Sequence, residues 1–144
     1  MINTPSRFIL LGGFISCACL SFAGEPFNGN WHIDLRNSSE RRQGAECGAA
    51  EFKLTQSGDV VAGTHTMSAI GCGRVNEGGA VKGVVIGNTA VLVITSGRNG
   101  AIVMGTAKHS EGNLVWRTVD EVSTGNPDGD SPMILGAGLL VRSE

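Results

Sequence analysis

The sequence has 144 residues, of which 17% are charged and 5% aromatic, and its formal net charge at pH 7 is −2. A chain of this length corresponds to one ordinary domain. Its weakly acidic balance gives no electrostatic support for binding nucleic acid or an anionic lipid surface, so we expect neither as a partner.

The N-terminal stretch has the layout of a secretory signal peptide. Arg7 is its only charged residue, residues 8–22 are almost all apolar or small, and Ala23 ends a small-residue cleavage site. The apolar run is shorter than the ~20 residues that a membrane-spanning helix needs, and no later run is longer. We therefore expect residues 1–23 to be removed. Residues 24–144 then form one domain, located in a bacterial periplasm or secreted.

The cysteines predict one disulfide bond. Of the four in the chain, only Cys47 and Cys72 follow the predicted cleavage site. Two cysteines in a small exported domain usually bond to each other. They form no C-x-x-C motif and have no histidine beside them, which disfavours a metal or redox pair. Cys17 and Cys19 lack the leucine-like residue that a lipobox places three positions earlier, so lipidation is the less favoured alternative.

After the cleavage site, short runs of valine, isoleucine and threonine alternate with glycine-rich turns, which is typical of β-strands. In the first run Trp31, Ile33 and Leu35 alternate with polar residues, as on a half-buried strand. Asn99-Gly100 is the strongest hairpin signal, because both residues tolerate a positive φ. We predict eight strands, at residues 31–36, 52–55, 60–67, 80–86, 89–95, 101–108, 114–119 and 133–142.

Most of these strands are joined by short connections, which makes consecutive strands antiparallel neighbours. We predict an all-β fold, a single up-and-down antiparallel barrel of about eight strands, because closure removes exposed strand edges. A two-sheet β-sandwich is the alternative. Residues 57–59 form the predicted turn after the second strand. A hairpin centred between Asp59 and Val60 would place Cys47 opposite Cys72.

A Val-x-Gly pattern recurs in three predicted strands and ends at Gly63, Gly83 and Gly105. A glycine inside a strand lets the strand bend or lets another group approach its backbone. We interpret the pattern as a set of barrel corners. Space left for a ligand is the alternative interpretation.

Several short motifs resemble the avidin/streptavidin family. Gly29-Asn30-Trp31 is similar to its opening strand, residues 58–64 to its third strand, residues 79–83 to its fourth and Leu114-Val115-Trp116 to its seventh. The resemblance implies an eight-stranded meander barrel with a ligand mouth at one end. The middle strands lack that family's tryptophans, and the chain contains no tyrosine. The resemblance therefore implies the fold and no biotin-binding residue.

No pattern in the sequence predicts an enzyme. His32, His65 and His109 lack metal-ligand spacing to another histidine, cysteine or carboxylate, so we expect packed or surface histidines and no metal site. A G-x-S-x-G nucleophile motif is absent, and no two carboxylates share a strand face. We expect no catalytic residues and no cofactor.

Residues 126–131 place oxygen-bearing side chains at alternate positions, as calcium loops do. Ser131 stands where such a loop has glycine, and Ala137 stands where it has a bidentate glutamate. Asn, Pro, Asp and Gly are also ordinary turn residues. We interpret residues 120–132 as a plain acidic loop, with calcium binding as the alternative.

Two polar loops, at residues 37–49 and 68–79, are the better binding candidates, because binding residues concentrate on loops held by a rigid scaffold. The predicted disulfide would hold them side by side. We predict an exported, non-enzymatic binding protein of inhibitor or immunity type that engages a protein partner through these loops. A small-ligand carrier with an avidin-like or lipocalin-like barrel is the alternative. The candidate binding residues are Arg41, Arg42, Arg74, Asn76 and Glu77.

Overall fold

A computed structural model describes residues 24–144, which are mostly β-strand. The predicted signal peptide, with Cys17 and Cys19, lies outside the described residues. Within residues 24–144, no helix combines the length and apolar character needed to cross a membrane. In chain order the elements are β1 (Gly29–Asp34), α1 (Ser38–Arg42), β2 (Cys47–Ser57), β3 (Val60–Ile70), β4 (Val75–Ile86), β5 (Thr89–Thr95), β6 (Ile102–Ser110), β7 (Asn113–Ser123) and β8 (Ala137–Ser143).

The sheet closes on itself. Each strand pairs antiparallel with the next, and β8 pairs with β1, where Trp31 lies opposite Arg142. Every strand therefore has a hydrogen-bonded neighbour on both sides, which removes the edges of an open sheet. The predicted eight-stranded up-and-down barrel is confirmed, and the two-sheet sandwich is wrong.

The β2–β3 hairpin turns on two residues rather than three. Ser57 pairs with Val60, and the first residue between them is a glycine with a φ of 58°, which suits a tight turn. The predicted centre of the hairpin is therefore wrong, and Cys47 pairs with Ile70 instead of Cys72. Because this shift is two residues, every side chain keeps its predicted face of the strand.

Several strands extend beyond their predicted ends. β2 begins at Cys47, β3 continues to Ile70 and β4 begins at Val75. The predicted loops at residues 37–49 and 68–79 therefore shrink to one short helix with its flanks and to a tight turn. Glycine and polar residues near these ends suggest loops, but the backbone groups there continue the hydrogen-bonded ladders of their neighbours.

The glycines of the Val-x-Gly pattern are sites of close packing. A Cβ at Gly63 would lie 1.9 Å from a carbonyl oxygen of β2, and one at Gly83 would lie 2.1 Å from a carbonyl oxygen of β5. A Cβ at Gly105 would lie 2.3 Å from the Trp116 ring. Protein atoms therefore fill the space beside these glycines. Their positions fit bends in the barrel wall and not a ligand chamber.

One end of the barrel, here called the turn end, carries the short turns between β2 and β3, β4 and β5, and β6 and β7. Phe27 and Trp31 close this end, and both side chains are fully buried. The Trp31 indole Nε1 donates to the Phe27 carbonyl at 3.0 Å, and the Arg142 guanidinium lies 4.5 Å from the Trp31 ring centroid. Trp31 thus fills one end of the barrel, as its place on an alternating strand predicts.

Candidate functional site at the loop end

The opposite end, here called the loop end, is formed by residues 35–46, 71–74, 96–101 and 124–136. Residues 131–136 fold into its mouth and are here called the plug. Met133 and Leu135 in the plug are buried. The sequence prediction of a strand from residue 133 is wrong for this segment, because β8 begins at Ala137. The apolar alternation of residues 131–136 fits a strand as well as it fits the plug. Only the contacts of this segment with the mouth of the barrel distinguish the two structures.

Side chains on the inner wall hold the backbone of the plug. They come from different parts of the barrel, namely β4, the β5–β6 loop and β7, and each donates a hydrogen bond to a carbonyl oxygen. The contacts are Ser96 Oγ to Pro132 (2.7 Å), Asn76 Nδ2 to Met133 (3.2 Å), and Trp116 Nε1 and Thr118 Oγ1 to Leu135 (2.6 and 3.1 Å). These donors satisfy carbonyl groups that would otherwise be buried without partners.

His65 completes the set from β3. Its Nε2 accepts a hydrogen bond from the Leu135 backbone N–H at 3.1 Å, and its Nδ1 lies 3.0 Å from the Glu51 carbonyl oxygen. This pairing requires a neutral ring with the proton on Nδ1. Burial lowers the pKa of His65 to about 4, which favours that neutral form. The ring also stacks on Phe52, with 4.4 Å between centroids. His65 is therefore a packed histidine that fixes the plug.

Asn76, a predicted binding residue, is fully buried. Besides its bond to the plug, its Oδ1 accepts from the Gly97 backbone N–H at 3.1 Å. Both ends of the amide are therefore engaged inside the protein. Its place in a glycine-rich polar segment suggests an exposed loop, but the early start of β4 turns it inward.

Helix α1 carries Arg41 and Arg42, which are both exposed. Asn37 caps the helix and forms a capping box with Glu40. Asp34 lies 2.9 Å from the Arg36 guanidinium and 3.8 Å from that of Arg41, which ties the helix region to β1. Hydrogen bonds from the Arg36 side chain and backbone hold the pKa of the Asp34 carboxyl well below its usual range.

The predicted disulfide between Cys47 and Cys72 is present, with 5.3 Å between the two Cα atoms. It links the start of β2 to the turn after β3. The same two segments are joined by a hydrogen bond from the Gly71 backbone N–H to the Glu46 carbonyl at 2.9 Å. Arg74 lies exposed at the end of that turn. The two segments that sequence analysis proposed as neighbours are therefore neighbours in the fold.

Glu77 is exposed on β4, beside an irregularity in the β3–β4 pairing. It lines a groove of about 340 Å³ on the barrel wall, together with His32 and Glu51 from β1 and β2. Met67 and Ser68 line both this groove and a second cavity nearer the mouth. The structure thus places Glu77 on the wall next to the loop end, whereas Arg41, Arg42 and Arg74 lie on the loop end itself.

The second cavity, here called the mouth pocket, has a volume of about 330 Å³. Apolar side chains dominate its lining, and Arg74 stands at it as the one charged residue. Sequence reasoning missed the apolar members, because each lies in a pattern that equally indicates core. The principal lining residues are Leu35, Met67, Ile70, Arg74 and Met133.

The acidic loop is held to the barrel by contacts of Asp130. Asp130 pairs with Arg98, with 3.2 Å between Oδ2 and Nε, and its carbonyl accepts from Asn99 Nδ2 at 2.9 Å. In the part of the chain that the structure describes, no three histidine, cysteine or acidic side chains are arranged to hold a metal ion. The contacts of Asp130 fit a structural loop.

No family model, curated protein or solved structure matches this chain. The resemblance to the avidin/streptavidin family therefore stays a prediction from the short motifs.

Proposed function

We propose that this chain is an exported, non-enzymatic binding protein that engages a protein partner through the loop end, as an inhibitor or immunity protein does. The observation that carries this proposal is the bracing of that end. A disulfide, a capped helix and an ion-paired aspartate hold the β1–β2 connection and the turn between β3 and β4. The proposed binding residues are Arg41, Arg42, Arg74 and Glu77.

Bracing matters for binding because loops that are already ordered lose less conformational entropy when they meet a partner. The β1–β2 connection is fixed by α1 and by the Arg36 guanidinium, which also donates to the Ala45 carbonyl at 3.0 Å. The turn after β3 is fixed by the disulfide. The β1–β2 connection and the β3–β4 turn thus present their side chains from a nearly rigid frame.

Charge gives the surface its specificity. Within residues 24–144, neither Arg42 nor Arg74 forms an ion pair, although both are exposed. Removal of Arg7 with a signal peptide lowers the net charge from −2 to −3, so these arginines are exposed cations on a weakly acidic protein. Arginine is enriched among the residues that dominate interface energies. A partner with exposed carboxylates fits this surface.

The carrier alternative has less support, because the plug fills the mouth through which a ligand would enter the barrel. The inner donors that would orient a ligand already hold the Met133 and Leu135 carbonyls. A carrier would first have to displace this segment.

A charge-reversal series tests the proposal. Oxidised protein is immobilised, incubated with periplasmic extract or culture medium of the source bacterium, and the captured protein is identified and purified. Arg42→Glu and Arg74→Glu should each weaken its binding about 10- to 30-fold, the effect of an interface hot spot. The matched control is Lys108→Glu, which reverses an exposed cation near the turn end. Equal affinity of all three variants would refute the proposed function.

A further inference from the structure

We propose that the mouth pocket receives one bulky apolar side chain of the protein partner, while a carboxylate next to that side chain pairs with Arg74. This inference rests on the proposed function and specifies the chemistry of the partner at the same surface.

The lining of the pocket selects an apolar occupant. Leu35, Met67 and Met133 contribute aliphatic and thioether groups, and Ile70 is still 43% exposed. When an apolar group covers Ile70, apolar surface of both groups is removed from water, which favours binding. Methionine is unbranched and polarizable, so two methionines let the pocket adapt to side chains of different shape.

The walls of the pocket are held in place from several directions. The Met133 carbonyl is fixed by Asn76, and the Met133 N–H donates to Ser131 Oγ at 3.3 Å. On the other side, the turn that follows Ile70 carries the disulfide. The mouth pocket is therefore a preformed recess between the plug and the disulfide-linked turn. A partner can bind there with little rearrangement of the backbone.

Arg74 supplies the charge preference. Its backbone carbonyl accepts from the Ala69 N–H at 2.9 Å, which fixes the position of the Arg74 backbone. Three other arginines, Arg36, Arg41 and Arg98, each pair with a carboxylate of the same chain. Among the described residues, Arg74 has no such pair. A guanidinium accommodates a carboxylate with two parallel hydrogen bonds, so a carboxylate beside the apolar anchor matches this site.

A blocked dipeptide tests the pocket without the partner. N-acetyl-Leu-Asp-amide is titrated into oxidised, ¹⁵N-labelled protein and backbone amide shifts are followed. We expect weak binding, with a Kd of about 1 mM, and shifts confined to the residues around the pocket, at positions 35, 48, 67–74 and 131–135. Replacing the aspartate by asparagine or the leucine by alanine should each weaken binding about 3- to 5-fold, the effect of one exposed ion pair or of part of an apolar side chain.

Two variants test whether the charge preference belongs to the pocket. Arg74→Gln should remove the preference for the aspartate peptide over the asparagine peptide, and Lys108→Gln, at an exposed position near the turn end, should leave it unchanged. Equal binding of the two peptides to the unmodified protein, shifts outside the pocket, or no shifts at all would overturn the proposal. Amide shifts that depend on protein concentration and disappear in Arg74→Gln would also overturn the proposal. They would identify a second copy of the chain as the occupant of the pocket.

The outcomes separate this inference from the proposed function. If the peptide does not bind but the captured partner still depends on Arg42, the pocket proposal fails and the proposed function stands. If the peptide binds with the expected Arg74 dependence but the partner is indifferent to Arg42 and Arg74, the proposed function fails and the pocket remains a site with this chemistry.

Discussion

The barrel closes its two ends by different means. At the turn end, Phe27 and Trp31 fill the opening with aromatic surface, and the connections between strands are as short as hairpins allow. At the loop end, the plug fills the opening with its backbone and with the buried Met133 and Leu135 side chains, and side chains from the wall hold the polar groups of that backbone.

The two closures have different consequences for the stability of the barrel and for the position of its loops. An aromatic closure is stabilised mainly by burial of apolar surface, and here the Trp31 indole N–H finds its partner in the nearby Phe27 carbonyl. A closure made from backbone requires partners for every buried N–H and C=O, which dictates the path of the chain and the position of the neighbouring loops. We infer that the turn end serves the fold and that the loop end serves recognition.

The largest expected effect is at the turn end. Trp31→Ala should lower the free energy of unfolding by about 3 to 5 kcal/mol, because it deletes a fully buried indole and leaves a cavity. Urea denaturation measures the change. Val141→Ala on the exposed outer face of β8 is the control, and it should change stability by less than ~0.5 kcal/mol. An unchanged midpoint for Trp31→Ala would mean that the aromatic closure is dispensable.

The disulfide is the next largest effect, and it acts at the loop end. Replacing Cys47 and Cys72 together by alanine should cost about 3 kcal/mol, if the entropy of the unfolded chain is the main term. Intact-mass measurement before and after reduction checks the starting state, because reduction adds two hydrogens. Recovery of two free thiols in protein isolated from the periplasm or culture medium, or equal stability of the double variant, would contradict this part of the account.

Acid should loosen the loop end through His65. Its pKa is lowered to about 4 in the folded protein, so the unfolded chain binds more protons between about pH 6.5 and pH 4. The stability supplied by the neutral ring is complete above pH 6.5 and is lost as the pH falls through 4. The full effect is roughly 3 kcal/mol.

The comparison of wild type with His65→Gln isolates this titration, because the two proteins differ only at this side chain. We expect the free energy of unfolding of wild type to exceed that of His65→Gln at pH 7, and this difference to shrink as the pH falls to 4. An advantage that stays constant over this range would show that His65 does not hold the plug as a neutral ring.

A smaller effect is expected from the amide that joins the plug to the β5–β6 loop. Asn76→Ala should cost about 2 kcal/mol, because the Met133 carbonyl and the Gly97 N–H lose their partner in a buried place. Thermal or urea denaturation measures it. Asn30→Ala, an exposed position on β1, is the matched control and should be nearly neutral. A neutral Asn76→Ala would indicate that the plug is held by its apolar side chains alone.

The smallest expected effect on stability comes from the proposed binding surface. Arg42→Glu and Arg74→Glu should change the free energy of unfolding by less than ~0.5 kcal/mol, because both side chains are exposed and unpaired within residues 24–144. Differential scanning calorimetry measures the midpoints. A large loss of stability in either variant would assign that arginine to the fold instead of to recognition.

The repeating parts of the fold were predictable from the sequence. Alternation of apolar and polar residues, as at Trp31 and Ile33, identifies strands, and tight turns between them require antiparallel neighbours. The disulfide followed from the cysteine count and the expected export. The register error in the β2–β3 hairpin came from a centre placed one residue too far along the chain, between Asp59 and Val60 instead of between Gly58 and Asp59, which local sequence does not distinguish.

The loop end was less predictable, because its structure depends on contacts between distant segments. Leu135 has the pattern of a strand residue, and only the position of His65, 70 residues away along the chain, gives its N–H a partner. Asn76 has the composition of a loop, and only the pairing of β4 turns it inward. The mouth pocket likewise combines residues 35, 67 and 133, which no local pattern connects.

Amide hydrogen exchange of the protein with and without its captured partner tests the central claim most directly. We predict that the complex slows exchange at residues 36–46 and 70–77 and leaves the turns at residues 57–60, 87–88 and 111–112 unchanged. Protection of those turns, or no protection at residues 36–46 and 70–77, would contradict the assignment of recognition to the loop end.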